Sequence, residues 1–372
     1  MKIAYDHQTF TLQDYGGISR YFFELLNYLH RTGRANFDLW VRFSNNLYLE
    51  GSPFSDHRRF CPGRSFRGKV RLVDRLNRPR SRRGLAAQAF DLFHPTYFDP
   101  YFLGPLGRKP FVLTIHDMVH EHFPGLFTRQ AMTPVWKKAV APGAARILAD
   151  SQNTKNDIIR LLGIDEERID VVHLAGGLEK PSGPAPASIP GFPERYLLFV
   201  GGRVEYKNFR PFARAVAPLL REDPGLGVVC AGGGPFRRDE RRFLGELGLA
   251  DRFLQRDLDD RGLGSAYAAA VVFVFPSLYE GFGVPILEAF SCDCPVVLSR
   301  ASSFPEVAGQ AAAYFDPADE ASIRETVRRA LDDEGLRESL RAKGKEQLKK
   351  FSWARTAEAT LAVYEKALAG WV

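Results

Sequence analysis

The stretch PSLYEGFGVPILEAFSCDCPVV, residues 276–297, carries the most information about the fold of this chain. It follows a continuous apolar run, residues 271–275, which predicts a strand that is buried on both faces, as in a parallel sheet. Residues 280–284 then predict the loop at the carboxyl end of that strand. We expect Pro285 to be the first residue of a helix, where its missing N–H costs nothing. The stretch therefore predicts a strand–loop–helix unit, and ligands of parallel α/β sheets bind at such carboxyl-end loops.

The residue types in this loop favour a ligand that combines an anion with hydroxyl groups. Glu280 lies at the strand end, and Glu288 follows about two turns further along the loop and helix. Gly281 and Gly283 allow the backbone to approach an anion closely, and the positive end of the helix dipole adds to the attraction. Amide groups would bind phosphate, and the two carboxylates would bind sugar hydroxyls.

The same alternation of short apolar runs and helical patterns extends along most of the chain. It predicts α/β architecture with helices on both sides of parallel sheets. Predicted helices cover residues 18–30, 154–162, 209–221 and 236–247. Predicted strands cover residues 2–5, 37–41, 111–115, 146–149, 196–200, 227–231, 271–275 and 295–298.

A proline- and glycine-rich stretch, residues 176–193, divides the chain, with five prolines and four glycines. We expect an N-terminal Rossmann-like domain over residues 1–180, a linker over 181–194 and a C-terminal Rossmann-like domain over 195–352. Both halves begin with a strand, a Gly-Gly pair and a helix, so we expect a shared site in the cleft between two facing domains. Residues 353–372 form an amphipathic pattern that suits either a helix packed back on the first domain or a cap on the second.

Composition excludes several classes of protein. The 372 residues are 45% hydrophobic and 26% charged, which is typical of ordinary globular domains. The longest apolar run, residues 266–276, is shorter than the roughly 20 residues of a membrane span. Residues 1–10 do not have the pattern of a signal peptide, and four cysteines make neither a disulfide framework nor a zinc site. We expect a reduced, cytoplasmic protein, and peripheral attachment to the inner face of the membrane stays open.

Residues 58–83 hold the basic character of the chain. They contain ten arginines, one lysine and one acid, a net charge of +10, whereas the rest of the chain has a net charge of −3. One interpretation is a mobile, solvated surface loop. Another is a patch for an anionic membrane surface or an acidic acceptor, because each Lys or Arg near such a surface contributes about 1 kcal/mol. Nucleic acid is the weaker third interpretation, since no recognisable binding module surrounds the segment.

The E-x7-E spacing of Glu280 and Glu288, within EGFG-P-ILEA, resembles the retaining nucleotide-sugar glycosyltransferases of the GT-B fold, family four (glycosyl transferases group 1). The similarity covers nearly the whole chain. Further motifs with counterparts in that family are DYGGISRYFFEL (14–25), TIHDMVHEHFP (114–124), ADSQNTKNDI (149–158), VGGRVEYKNF (200–209) and SSFPEVAGQAA (302–312). Six motifs in the family's order are a specific signal.

The resemblance implies roles for named residues. Glu280 and His116 would lie at the transferred sugar, with His116 also near the acceptor, and Glu288 would contact the nucleotide ribose. Arg203 and Lys207 would grip the donor diphosphate and neutralise the charge that builds on it. Further donor-binding residues would be Gly16 and Gly17 from the first domain and Gly281, Phe282, Gly283 and Val284 from the second.

The implied function is transfer of a hexose, mannose- or glucose-type, from a GDP- or UDP-linked donor to a glycan or lipid-linked acceptor, with retention and without a metal. The family suggests bacterial surface polysaccharide synthesis. The alternatives are a non-catalytic nucleotide- or glycan-binding member and an anionic membrane- or polymer-binding protein.

The run 257–260 resembles a metal-binding D-x-D, but N-capping of the following helix explains it better. The spacing of His116, His120 and His122 is an alternative candidate for a metal site, but the sequence shows no evident fourth ligand. The family usually has glycine near Arg256 and at Asp293. Aspartate tolerates a positive φ better than most residues, whereas Arg256, expected close to the base pocket, leaves the identity of the nucleotide base undetermined.

Overall fold

The computed structural model describes residues 1–127, 132–178 and 189–371, which form two compact units. The first unit comprises Met1–Leu174 and Trp353–Val372, and the second comprises Ala175–Ser352. Most of the predicted linker, residues 181–188, lies outside the described residues.

The first unit alternates strands and helices. In chain order, the first six elements are β1 (Lys2–Tyr5), α1 (Gln8–Leu12), α2 (Gly17–Thr32), β2 (Asn36–Leu39), α3 (Lys69–Ala87) and β3 (Leu92–His94). They are followed by α4 (Leu103–Leu106), β4 (Val112–Ile115), α5 (Val119–His122), α6 (Thr133–Val140), β5 (Arg146–Ala149), α7 (Gln152–Leu162) and β6 (Ile169–Val171).

The strands of the first unit form two parallel sheets, ordered β2-β1-β3 and β4-β5-β6. A parallel bridge between Phe93 and Phe111 joins β3 to the residue before β4. The combined order places β1 beside β3, where the direction of strand addition reverses. Loops at the carboxyl ends of strands at such a reversal are the usual ligand sites of doubly wound sheets.

The basic segment is not a loop over its second half, because residues 69–87 form the helix α3. Its inner face repeats every four residues, with Val73, Asn77, Ser81 and Leu85 buried. The Asn77 side chain accepts hydrogen bonds from the backbone N–H groups of residues 42 and 43. The expectation of a solvated loop is therefore wrong for this half, and the arginines lie on an ordered helix.

The second unit contains β7 (Arg195–Val200), α8 (Phe209–Glu222), β8 (Leu226–Ala231), α9 (Arg238–Glu246), β9 (Phe253–Arg256), α10 (Asp260–Ala269) and β10 (Val272–Phe275). It continues with α11 (Val284–Ser291), β11 (Val296–Ser299), α12 (Phe304–Ala308), β12 (Ala313–Phe315), α13 (Glu320–Asp332) and α14 (Glu334–Leu348). Its six parallel strands are ordered β12-β11-β10-β7-β8-β9. This is the doubly wound Rossmann order, with the reversal between β7 and β10.

Buried apolar strands hold this sheet between its helices. Strand β8 is buried at every position, and α8 buries one face through large residues such as Phe212 and Leu220. Four short strands, β3, β6, β9 and β12, are absent from the eight predicted strands. They have only three or four residues each, too few for a clear apolar pattern.

The last helix, α15 (Trp353–Ala369), belongs to the first unit and packs against α2 and β5. The Tyr364 hydroxyl lies 2.9 Å from the Tyr5 hydroxyl and 2.6 Å from Nδ1 of His94, and all three side chains are buried. Across the described ranges, no helix has both the length and the apolar character that crossing a membrane requires.

Candidate active site

The carboxyl-end loops of β7 and β10 meet at the strand-order reversal of the second unit. Lys207, after β7, places its Nζ 2.5 Å from Oε1 of Glu280, after β10. Their side chains are only 15% and 16% exposed, so the ion pair is partly shielded from water. The ammonium also lies over the rings of Tyr206 and Phe275, at 5.2 and 5.4 Å from the ring centres. A cation and a carboxylate predicted from separate motifs are thus in direct contact.

The loop between Glu280 and α11 is held in one conformation by the chain that follows β11. Hydroxyl groups of Ser302 and Ser303 donate to the Glu280 carbonyl, and Ser303 also donates to the Phe282 carbonyl at 2.9 Å. The Glu280 N–H donates to the Ser302 hydroxyl. The sequence places both serines in a family motif, but it does not predict that they support this loop.

The end of this loop requires glycine. Gly283 precedes α11 with φ of +97°, and a Cβ there would lie 3.0 Å from the Phe304 ring. Gly281 and Phe282 are buried, whereas Val284 is half-buried as the first residue of the helix. The helix thus begins one residue before Pro285.

Glu288 lies on α11 and is half-buried. The Tyr267 hydroxyl donates a hydrogen bond of 3.4 Å to its Oε2. Burial, and then the nearby Glu288 carboxylate, raise the pKa of Tyr267 well above its usual value. The tyrosine therefore stays protonated and remains a donor to Glu288.

Arg203 is buried and engaged within the protein. Its guanidinium donates to the carbonyls of Gly232 and Gly234 at 3.1 and 2.7 Å, and its Nε lies 3.3 Å from the Glu240 carboxylate. Arg203 thereby ties the loop after β8 to the loop after β7. The structure gives it a role in positioning these loops, and its contact with a diphosphate stays a prediction.

The loop after β8 is a feature that the sequence analysis missed. Gly232, Gly233 and Gly234 have φ values of +82°, +73° and +68°, which L side chains rarely adopt. A Cβ on Gly233 would lie 2.9 Å from the carbonyl oxygen of Gly201. The GGG triplet directly after an apolar strand is the signal that could have identified it.

The first unit carries the other predicted site residues. His116 follows β4 and Asp150 follows β5, and Nδ1 of His116 lies 2.8 Å from Oδ2 of Asp150. Burial raises the pKa of Asp150, while the neighbouring His116 lowers it. Facing a carboxylate, Nδ1 carries the proton in the neutral ring, which leaves Nε2 as an acceptor. Within the described part of the chain, Nε2 of His116 is buried and has no hydrogen-bond partner.

Gly16 and Gly17 stand at the start of α2. Gly16 is the N-cap residue in an extended conformation, and a Cβ there would lie 2.7 Å from Oε1 of Gln13. Gly17 has open space where a Cβ would be. The pair does not directly follow β1, as the sequence suggests, because α1 intervenes. The backbone here is accessible at a helix N-terminus, a favourable place for an anion.

The two alternative metal motifs are used for other purposes. The Asp259 side chain accepts from the Gly262 N–H at 2.7 Å and caps α10, which confirms the N-capping interpretation. His116 pairs with Asp150, whereas His122 pairs with Asp157 at 2.9 Å. In residues 1–127, 132–178 and 189–371, no three His, Cys, Asp or Glu side chains are grouped so as to hold a metal ion.

Two units of parallel doubly wound sheet, with a cation–carboxylate pair at a strand-order reversal, agree with the predicted GT-B class of glycosyltransferase. Residues 190–347 match Glycosyl transferases group 1, and residues 15–175 match Glycosyltransferase Family 4. The chain belongs to glycosyltransferase family four, and the prediction of that family is confirmed.

Individual relatives agree with this assignment. The chain is 31% identical to O-antigen chain mannosyltransferase B of Escherichia coli, over 76% of this chain and 81% of that protein. It is 30% identical to D-inositol 3-phosphate glycosyltransferase of Streptomyces bingchenggensis, over 76% and 68% of the two chains. Sucrose-phosphate synthase from Thermosynechococcus elongatus shares the fold with a TM-score of 0.76 and 20% identity, over 99% of each chain.

Proposed function

We propose that this enzyme transfers a hexosyl group, mannosyl in the first instance, from a GDP- or UDP-linked donor to a glycan or lipid-linked acceptor of bacterial surface polysaccharide. The relative named O-antigen chain mannosyltransferase B supports the sugar and the pathway class. Retention at the anomeric carbon is part of the proposal, as is independence of a metal.

The contact between Lys207 and Glu280 carries this proposal. A partly shielded ammonium after one strand and a carboxylate after its neighbour match the two ends of a nucleotide sugar. Lys207 would neutralise the diphosphate as the glycosidic bond breaks, and Glu280 would accept hydrogen bonds from sugar hydroxyls. Glu288, held by Tyr267, would accept from the ribose.

Residues of the first unit would serve the acceptor and the donor phosphates. The half-buried Gly16 and the exposed Gly17, at the start of α2, would place backbone N–H groups near a phosphate group. His116, with Nδ1 fixed by Asp150, offers Nε2 as an acceptor for a sugar hydroxyl. Arg203 would act on the diphosphate only indirectly in the conformation described, through the glycine loop after β8.

The test is incubation of the full chain with a panel of GDP- and UDP-hexoses and an oligomannose acceptor, followed by measurement of nucleoside diphosphate release. We expect release from one donor class and faster release with acceptor. A chain that binds nucleotide sugars but releases no diphosphate with any acceptor would instead be a non-catalytic member.

The basic helix supports a second proposal, peripheral attachment to an anionic membrane surface at the cytoplasmic face. The outer side of α3 and the residues before it expose apolar Phe66, Val70 and Leu72 beside several arginines. Arginines exposed there are Arg67, Arg71, Arg75, Arg82 and Arg83. Exposed cations interleaved with exposed apolar side chains suit anionic lipid headgroups.

A further inference from the structure

A groove in the first unit lies between α2 and α15. It has a volume of about 260 Å³ and is lined by Glu24, Asn27, Tyr28, Arg31, Thr32, Trp353 and Ala354. The α2 residues recur every three or four positions, so they share one helix face. The groove begins roughly 10 Å along α2 from Gly17, at a rise of about 1.5 Å per residue. It is thus separate from the glycine end of the same helix.

Trp353, one of the lining residues, carries an unsatisfied donor. The indole Nε1 of Trp353 is buried and has no hydrogen-bond partner among the described residues. Buried donors in proteins are almost always paired with protein, water or ligand. In contrast, the Tyr28 hydroxyl is already bonded to Glu358, which fixes the position of the Tyr28 side chain.

The remaining lining indicates the chemistry of the ligand. One carboxylate, Glu24, and one guanidinium, Arg31, balance in charge, so the groove does not favour an anion. Burial raises the pKa of Glu24, and the charges of Arg20 and Arg31 oppose that rise. Asn27 offers both a donor and an acceptor. Two aromatic rings with paired polar groups suit the apolar face and the hydroxyls of a sugar ring.

We infer that this groove binds one neutral sugar residue of a glycan, at a subsite outside the transfer site. The volume lies just below the roughly 300–1,000 Å³ of pockets for drug-sized ligands, which suits a single ring rather than a nucleotide. That the glycan is the growing acceptor rests on the proposed function. Such a subsite would retain a long acceptor between successive transfers.

The experiment uses the full chain labelled with 5-fluorotryptophan and titrated with α-linked mannotriose, observed by fluorine NMR. Trp353→Phe assigns the Trp353 signal. We expect mannotriose to shift that signal and to leave the Trp371 signal in place, because the Trp371 indole donates to the Arg108 carbonyl elsewhere. Asn27→Ala should weaken the apparent affinity at least tenfold, whereas His30→Ala, on the exposed side of α2, should not change it.

Two results would overturn the inference: a Trp353 signal that does not move with mannotriose, or an affinity that Asn27→Ala leaves unchanged. A shift with inorganic phosphate but not with mannotriose would contradict a neutral ligand in the same way. Donor hydrolysis by the unaltered chain is measured in parallel. Sugar binding without any donor turnover would retain the subsite and reject the proposed transfer function, and turnover without sugar binding at Trp353 would do the reverse.

Discussion

At the scale of single residues, the main feature of the second unit is the ion pair of Lys207 and Glu280 at the strand-order reversal. Each side chain is about 85% shielded from solvent, and the ammonium lies 2.5 Å from the carboxylate. A diphosphate that enters this position would compete with Glu280 for the ammonium. In the proposed function, Lys207 would therefore act on ligand charge both before and during the reaction.

Lys207→Ala should lower kcat/KM by about 10- to 100-fold, because a hydrogen bond to a charged group contributes about 1.5–3 kcal/mol. Both kcat and donor affinity should fall, since the cation meets phosphate in the ground state and in the transition state. Steady-state kinetics and donor titration measure the two effects. Lys349→Ala, which removes an exposed lysine paired with Glu346, is the control. Wild-type kinetics in Lys207→Ala would remove this residue from the site.

His94 makes the stability of the first unit depend on pH. Burial, and then the charge of His116, lower its pKa to about 3, compared with about 6.5 in an unfolded chain. Below pH 6.5 His94 binds a proton in the unfolded state but not in the folded state. The free energy of unfolding therefore falls as the pH drops toward 3. From pH 7 to pH 5 this loss is about 2 kcal/mol.

The expected loss can be read from tryptophan fluorescence in urea, because all four tryptophans, at positions 40, 136, 353 and 371, belong to the first unit. The His94→Gln variant should be less stable at pH 7 but should lose about 2 kcal/mol less than the parent between pH 7 and pH 5. Equal losses in both proteins would show that His94 does not titrate as its burial implies.

Residue roles were predictable where a motif fixes both residue type and strand position. Lys207 and Glu280 meet because each follows a strand at the reversal of one sheet, and the positive φ of Asp293, 56°, agrees with a turn usually made by glycine. The engagement of Arg203 with the glycine loop was not predictable, since its partners lie about 30 residues away. Asp150 is a similar case: its pairing with His116 depends on the neighbouring strands β4 and β5.

At the scale of elements, α3 changes how the basic segment must be tested. Arg78 is not a free surface charge, because it donates to Asp74 and Asp99 at 2.8 and 2.6 Å and lies over the Tyr101 ring. Asp74 in turn contacts the buried His7, two residues after the end of β1. Replacing Arg78 would disturb the fold of the unit as well as its surface charge.

Replacement of Arg67, Arg71, Arg75 and Arg82 by glutamine should reduce co-sedimentation with anionic vesicles. At about 1 kcal/mol per charge the partition coefficient should fall more than tenfold at about 0.05 M salt, where the screening length is about 14 Å. The matched control removes four exposed arginines of the second unit, at positions 237, 238, 241 and 242. Equal sedimentation of the α3 variant and the parent would leave the helix as a solvated surface.

Segments with strong periodicity were predicted well, and segments stabilised by tertiary contacts were not. The helix α2 agrees with its prediction to within two residues at each end, since its apolar positions recur at helical spacing. By contrast α3 contains seven basic residues, one acid and a proline at position 79, so its sequence does not indicate a helix. Its four buried positions and the packing of Gly84 on Trp40 stabilise it instead.

At the scale of the whole molecule, the α/β class follows from alternating strand and helix patterns, and the six family motifs identify GT-B. Strand order could not be read from the sequence, because it depends on which buried strands pair. The second unit has the Rossmann order around β7 and β10, while the first unit has its reversal at β1 and β3.

A metal-independent site predicts activity that survives chelation. Positive side chains and backbone amides would supply the charge that a divalent cation supplies in other transferases. We expect unchanged turnover in excess EDTA, measured as nucleoside diphosphate release. Complete loss that added magnesium or manganese restores would contradict this part of the proposal.

We propose that the loop-end carboxylate of Glu280 takes part in hexosyl transfer. The most direct test is product formation by Glu280→Gln with the donor that the parent uses, beside the exposed control Glu346→Gln. We predict a fall in kcat of about 100-fold or more for Glu280→Gln, the scale of losing one preorganised polar group at a reaction centre, with a folded protein and only a small shift of the unfolding transition. Turnover by Glu280→Gln equal to that of the parent and the control would show that Glu280 takes no part in hexosyl transfer.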